Sequence, residues 1–233
     1  MADQVKYPGR LIAVDGSRGK DVNAAAGAIA AALTRGGVAC AVSRWDASGL
    51  FTELTAARRG DRHLSIRTLS LIYAADLAFR LRWEVRPVLE SGGVVIAAPY
   101  VETVVAFGAS SGLDEDWLRQ LLRFAPRADL RGLALERKID RPWKQRTDRG
   151  YAEYCATMLA ASSPKGLSKK HRRAMVAALD RTRGRKIFDL TDKGVAWLAR
   201  ACRAVAETRR RAPTDSLEGG SRRSASRPRT GRR

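Results

Sequence analysis

The sequence is poor in the residues that cross-link a chain or anchor it in a membrane. Only three cysteines occur among 233 residues (Cys40, Cys155 and Cys202), and the chain has two histidines. Cysteines this far apart predict reduced thiols, neither a disulfide framework nor a zinc site, and we assign no metal ligands. No run of 18 apolar residues occurs, and the first residues lack the apolar core of a signal peptide. We therefore expect a cytoplasmic protein with no membrane partner.

Acidic residues are scarce in the second half of the chain. Residues 1–135 contain 17 Lys and Arg against 14 Asp and Glu, a net charge of +3, whereas residues 136–233 contain 27 against 10, a net charge of +17. The nearly neutral first part is typical of an enzyme domain, and its apolar content suits a packed core. The basic second part predicts a polyanionic partner.

Short apolar runs alternate with helical patterns along the first part. We predict strands at 11–14, 38–43 and 94–97, a fourth run of poor register at 130–135, and helices at 24–33, 66–89 and 114–124. This alternation indicates an α/β fold in which a parallel sheet is flanked by helices on both faces. Ligands of such sheets bind at the carboxyl ends of the strands. We therefore expect residues 15–20, 44–46 and 98–102 to surround one crevice.

A glycine turn and a lysine follow the first strand. The order of strand, glycines, lysine and helix is that of a P-loop, in which backbone N–H groups at a helix N-terminus bind phosphate. The loop is two residues shorter than the usual pattern, and an aspartate stands where a Ser or Thr is usual. We predict a cofactor-binding loop with Lys20 as its catalytic cation; the alternative is a plain turn with an incidental lysine. The predicted loop residues are Gly16, Ser17, Arg18, Gly19, Lys20 and Asp21.

Four ordered segments carry a family resemblance. They are Leu-Ile-Tyr-Ala-Ala-Asp-Leu at 71–77, Val-Arg-Pro-Val-Leu at 85–89, Gly-Val-Val-Ile-Ala-Ala-Pro-Tyr-Val-Glu-Thr at 93–103 and Gly-Leu-Asp-Glu-Asp-Trp-Leu at 112–118. Together they resemble the thymidylate kinases, members of the P-loop nucleoside monophosphate kinase group, over about residues 9–125. The four segments in this order are specific evidence for the resemblance, whereas each segment alone is weak evidence.

The resemblance implies a three-layer P-loop kinase-like domain over residues 8–150. An active member would use ATP and Mg²⁺ to phosphorylate a dTMP-like nucleotide, with Arg44 at the acceptor phosphate and Asp76, Tyr100 and Phe107 around the substrate. Each assignment has a plainer alternative. Arg44 would then be a surface arginine, Asp76 part of a polar helix face, and the two aromatic residues part of the core. A homodimer is compatible with the sequence.

The departures from the family pattern fall on the chemistry. Ala98 and Pro99 stand where the family has an Asp-Arg pair near the phosphates and magnesium, and Leu77 replaces an arginine that handles the substrate. Phosphoryl transfer depends on such charges, because each stabilises the transferring group. We therefore expect a nucleotide-binding protein whose kinase activity is weak or absent, a pseudoenzyme in the limiting case.

The basic second part predicts a different kind of partner. We expect a helical segment over 151–212, with helices at 151–161 and 168–180, and a disordered Arg-rich tail over 213–233. Residues 182–198 resemble the end of a winged-helix DNA-binding domain. The alternative function is thus a non-catalytic nucleic-acid-binding or regulatory protein, against the plainer interpretation of a solvated basic face. The residues assigned to nucleic acid are Lys169, Lys170, Arg172, Arg173, Arg183, Arg185 and Lys186.

Overall fold

The computed structural model describes residues 7–57, 64–134, 150–160, 169–182, 187–189 and 200. The strands are β1 (Arg10–Gly16), β2 (Cys40–Arg44), β3 (Val94–Ala98), β4 (Leu130–Ala134) and β5 (Ile187–Asp189). The helices are α1 (Gly19–Arg35), α2 (Leu50–Ala57), α3 (Ile66–Arg80), α4 (Arg86–Glu90), α5 (Val101–Ser110), α6 (Glu115–Leu121), α7 (Tyr151–Ala160) and α8 (Lys169–Arg181). A π-helical turn, Leu81–Val85, joins α3 to α4.

The strands form one parallel sheet in the order β2-β3-β1-β4-β5. In the register of the central pair, Ile12 lies beside Ile96 on β3 and beside Leu130 on β4. Because β1 is central, six of its seven residues are buried. The prediction of a parallel sheet is confirmed, and the run of poor register at 130–135 is β4.

Helices cover both faces of the sheet, as predicted. Alternate residues of β1 point to opposite faces, so Ile12 and Val14 pack with the apolar side of α1, whereas Leu11 and Ala13 pack with α3 and α5. The alanines of α1 favour the helix and allow close approach to the sheet. This three-layer arrangement brings the start of α1 to the carboxyl end of β1.

The single helix predicted over 66–89 is interrupted. The α-helical hydrogen bonding ends at Arg80, runs through the π-helical turn and resumes in α4. Pro87 lies in the first turn of α4, where it has no N–H to donate to the preceding turn. The apolar spacing at three and four residues continues through the interruption, and the sequence pattern therefore did not reveal it.

Two helices were missing from the predicted elements. In α2, Asp46 accepts backbone N–H groups from Phe51 and Thr52 at 2.7 and 3.0 Å, and these bonds fix the first turn. In α5, seven of ten residues are buried. A helix covered on nearly all sides has no polar face to give a periodic signal.

The second part of the chain packs onto the same sheet. Helix α7 lies against α3 and α5, and α8 packs on α5 through Met175 and Leu179. Strand β5 pairs in parallel with β4, so this strand extends the sheet. Within the winged-helix resemblance at 182–198, residues 183–186 and 190–198 lie outside the described residues, as does the predicted tail at 213–233. Within the described ranges, no helix is long and apolar enough to cross a membrane.

Candidate functional site

The predicted phosphate loop joins the carboxyl end of β1 to the N-terminus of α1. A Cβ atom on Gly16 would lie 2.6 Å from the Ala134 carbonyl oxygen and 2.8 Å from Val22 Cγ2, so the turn has room only for glycine. Arg18, the residue before α1, is extended and provides no side-chain cap. The first N–H groups of α1 therefore need acceptors from elsewhere in the protein.

Helix α7 supplies one of these acceptors. The backbone N–H of Gly19 donates to Glu153 Oε1 at 2.8 Å, and Glu153 is only 4% exposed. Gly150, just before α7, packs so closely that a Cβ atom there would lie 2.4 Å from Gly19 Cα. We call the Gly19–Glu153 hydrogen bond the Glu153 contact. A carboxylate of the protein thus occupies the helix N-terminus that a P-loop offers to phosphate.

A second loop amide is also engaged. The N–H of Gly16 donates to Thr103 Oγ1 at 3.0 Å, and that hydroxyl donates to Asp15 Oδ1 at 2.8 Å. The strand end and α5 are therefore hydrogen-bonded to each other across the loop. Two amides of the predicted loop, those of Gly16 and Gly19, are satisfied by protein groups.

The space beside the loop is correspondingly small. The crevice between β1, α1 and α7 has a volume of about 10 Å³. A cavity needs about 10–15 Å³ to hold a single water molecule, so this crevice has no room for a phosphate group. The residues that line it are Gly16, Gly19, Val22, Asn23, Trp45, Pro99, Thr103, Gly150, Tyr151, Ala152 and Glu153. With α7 in this position, the site does not fit the triphosphate of ATP with its magnesium ion.

The other loop residues are dispersed. Ser17 is buried, Lys20 is exposed, and Asp21 lies 3.6 Å from Arg18 in an ion pair. Asp21 stands in the first turn of α1, where a negative charge is favourable. The structure thus brings Gly16, Gly19 and the α1 N-terminus together but leaves the lysine in solvent.

Asp15 belongs to the segment expected around the crevice, although it was not among the predicted loop residues 16–21. Its Oδ1 accepts the backbone N–H groups of Tyr100 and Thr103 at 2.9 and 3.0 Å. Burial raises the pKa of the Asp15 carboxyl above its usual range, and the nearby charge of Glu102 acts in the same direction. Its place directly before Gly16, at the end of a buried strand, was the available signal.

Asp76 organises the loop after β2. Its carboxylate accepts the N–H groups of Asp46 and Ser48, each at 3.0 Å, and the Ser48 hydroxyl at 2.8 Å. These bonds hold the turn in which Asp46 adopts a left-handed conformation with φ of 59°. Arg44 ends β2 and is exposed.

The predicted aromatic pair lies in the core. Tyr100 is 4% exposed and donates its hydroxyl to the Pro126 carbonyl at 2.7 Å, and Phe107 is fully buried. The ring of Tyr151, from α7, packs edge-on at 6.0 Å from Phe107 and at 4.6 Å from Tyr73. Tyr151 thus packs directly on Phe107, one of the residues assigned to the substrate.

A buried arginine joins the ends of β2 and β3. Arg80 donates to the Ser43 hydroxyl at 2.9 Å, to the Ser43 carbonyl at 3.0 Å and to the Pro99 carbonyl at 3.1 Å. The Ser43 hydroxyl in turn donates to Glu84 at 2.6 Å. Arg80 was missed because its spacing places it on the apolar face of α3, one turn after Leu77, where a charge is unexpected.

The end of β3 offers no charged group. Ala98 and Pro99 are buried, and Pro99 presents its carbonyl to Tyr73 Oη at 3.0 Å as well as to Arg80. In the described ranges, no group of three or more His, Cys, Asp or Glu side chains could hold a metal ion. The positions at which the resemblance implies an Asp-Arg pair supply only backbone acceptors.

Comparison with known proteins gives the same family as the four segments. The chain is 40% identical to a probable thymidylate kinase of Thermococcus gammatolerans over 80 residues, 33% of this chain and 38% of the relative. It is 32% identical over 84 residues to probable thymidylate kinase 2 of Saccharolobus solfataricus and 36% identical over 89 residues to the thymidylate kinase of Clavibacter michiganensis, which cover 39% and 41% of those relatives. Part of the chain is thus similar to thymidylate kinases. No protein-family model matches it, and these matches span about two fifths of the relatives' length.

Four of the residues assigned to nucleic acid are on α8, and none of these four lines the crevice. Lys169 begins α8, on which Lys170 and Arg173 are exposed, whereas Arg172 is 5% exposed and belongs to the packed face. Arg183, Arg185 and Lys186 lie outside the described residues. Helix α8 thus combines a packed face with exposed cations at Lys170, Arg173 and Arg181.

Replacing Asp15 by Asn should stabilise the protein near pH 7. The amide Oδ1 keeps an acceptor for Tyr100 and Thr103, while the desolvated charge is removed. Because the folded pKa is raised, the folded state binds the proton more tightly, and stability of the unmodified protein falls as pH rises above the unfolded value of 3.8. The advantage of Asp15→Asn should therefore shrink as the pH is lowered towards 4.

Urea unfolding between pH 4 and pH 8 measures this difference. Asp116→Asn, which removes one charge from the exposed first turn of α6, is the matched control. If the stability gained by Asp15→Asn increased as the pH was lowered, the result would contradict a raised pKa for the Asp15 carboxyl.

Proposed function

We propose that this chain is a thymidylate kinase-like protein with impaired phosphoryl transfer. The proposal is carried by one observation: the crevice at the α1 N-terminus is filled by α7, with Glu153 on the Gly19 amide and about 10 Å³ of free volume. An enzyme that stabilises a transferring phosphoryl group needs that space and those donors for its substrate. Similarity to thymidylate kinases supports the nucleotide kinase ancestry of the scaffold.

The charged groups of the site support the same proposal. Lys20 and Arg44 are exposed, and the end of β3 supplies the carbonyl of Pro99 in place of an ionised pair. Removing one preorganised electrostatic contact typically lowers a rate by about 10²–10³. Several such groups are replaced together here, although their effects do not add simply. If catalysis occurs, Lys20 would neutralise phosphate charge and Arg44 would position the acceptor nucleotide.

A kinase assay tests the proposal directly. Purified full-length protein should form no magnesium-dependent dTDP from ATP and dTMP above the rate without protein. The double substitution Ala98→Asp with Pro99→Arg should remain inactive, because it restores two charges and leaves the crevice filled. Formation of dTDP at rates of about 1–100 s⁻¹, the usual range for kinases, by the unmodified chain would contradict impaired catalysis.

A second candidate function is nucleic-acid binding through the basic second part. It is favoured by the +17 net charge of residues 136–233 and by the exposed Lys170 and Arg173 on α8. Binding of this kind would rest on phosphate contacts and would weaken steeply with salt.

A charge-reversal pair tests this second candidate. Lys170→Glu with Arg173→Glu should weaken duplex DNA binding and reduce the slope of log affinity against log salt by about 0.9 for each phosphate that the protein no longer neutralises. The control is Arg123→Glu, an exposed arginine of the nearly neutral first part. Gel shifts across a salt series measure both proteins, and affinity that is independent of salt would contradict an electrostatic interface.

A further inference from the structure

We propose that Glu153 is an internal anion that keeps the phosphate site closed, so that a phosphate-bearing ligand binds only by displacing the first turn of α7. This inference rests on the proposed function, because it takes the α1 N-terminus to be the ancestral phosphate site. It adds a regulation of that site: the ligand competes with a carboxylate of the chain itself. The ligand class is a pyrophosphate or the polyphosphate part of a nucleotide.

The electrostatics favour an anion at this position. Helix α1 has 17 residues, and its N-terminus carries the positive end of the helix dipole. The Gly19 N–H meets Glu153 Oε1 at 2.8 Å in a buried setting, and a hydrogen bond to an ionised acceptor is stronger than a neutral one. A phosphate oxygen and this carboxylate oxygen therefore require the same donor and cannot both have it.

The first turn of α7 fills the crevice as one unit. Gly150 lies directly on Gly19, because a Cβ atom on Gly150 would be 2.4 Å from Gly19 Cα and 2.8 Å from its nitrogen. One residue later, Tyr151 packs on the rings of Tyr73 and Phe107. The same turn therefore fills the phosphate end and the aromatic end of the crevice, and displacing it would open both.

The size of the effect follows from this competition. Apparent affinity is reduced by the fraction of molecules in which the site is open. A charge-assisted hydrogen bond that favours the closed state corresponds to an open fraction lowered by about 10- to 100-fold. Removing the Glu153 contact should strengthen pyrophosphate binding by a similar factor.

Two substitutions open the site by independent routes. Glu153→Gln keeps an amide oxygen for the Gly19 N–H but removes the charge that competes with phosphate. Gly150→Ala retains the Glu153 carboxylate but forces the first turn of α7 away from Gly19, because the added Cβ atom would lie 2.4 Å from Gly19 Cα and 2.6 Å from Glu153 Oε2. The matched control is Gly27→Ala, in the same helix as Gly19, where an added Cβ atom meets nothing within 4 Å.

Calorimetric titration of the full chain with inorganic pyrophosphate provides the test. Glu153→Gln and Gly150→Ala should each bind about 10- to 100-fold more tightly than the unmodified protein and Gly27→Ala. Equal affinity in all four proteins, or no binding by either opened variant at millimolar pyrophosphate, would overturn the inference. Circular dichroism confirms that the variants are folded.

The unmodified chain gives a readout that needs no variant. Saturating pyrophosphate should speed amide hydrogen exchange in the first turn of α7, and exchange that is unchanged or slower would overturn displacement.

The kinase assay distinguishes this inference from the proposed function. Tighter pyrophosphate binding by the variants together with rapid dTDP formation by the unmodified chain would support displacement by phosphate and reject impaired catalysis. Equal pyrophosphate binding by all the proteins, with no dTDP formation, would reject displacement by phosphate and support impaired catalysis.

Discussion

The hydrogen bond between the Gly19 amide and the Glu153 carboxylate is the interaction on which the site depends. It satisfies an N–H group at the start of α1 that no side-chain cap serves, and it joins residues 134 positions apart. The amide belongs to a strand–turn–helix junction suited to binding anions, and the carboxylate belongs to a helix that fills the neighbouring crevice. This one contact joins the junction to the packed helix α7.

The surrounding edge of the sheet is held by buried polar groups and not by a ligand. Asp15 joins β1 to α5, Asp76 holds the loop after β2, and Arg80 joins the ends of β2 and β3 through the carbonyls of Ser43 and Pro99. Each of these side chains hydrogen-bonds to backbone groups and to a neighbouring hydroxyl, which explains how polar residues are tolerated at low exposure. The polar groups Asp15, Asp76 and Arg80 thus have structural roles at this edge of the sheet.

Local pattern was enough to predict the sheet but not the contents of the crevice. The apolar runs of β1 and β3, the alanine-rich α1 and the alternation of strand and helix are short-range signals, and the parallel sheet is confirmed. Helix α5 was missed because it is buried on nearly all sides, and Arg80 because it lies among apolar neighbours. Glu153 lies on a helix that was predicted, at 151–161, but no spacing rule relates it to Gly19. That contact is set by tertiary packing, in which two glycines allow the helices to touch.

The Gly19 amide resonance in ¹⁵N-labelled protein without ligand tests this account most directly. In the unmodified chain its proton should be shifted downfield and protected from solvent exchange, because it donates to a buried carboxylate. In Glu153→Gln the same resonance should move upfield, while that of Gly27 stays in place. A Gly19 amide that exchanges rapidly and has the same shift in both proteins would contradict the central claim that the chain's own carboxylate occupies the phosphate site.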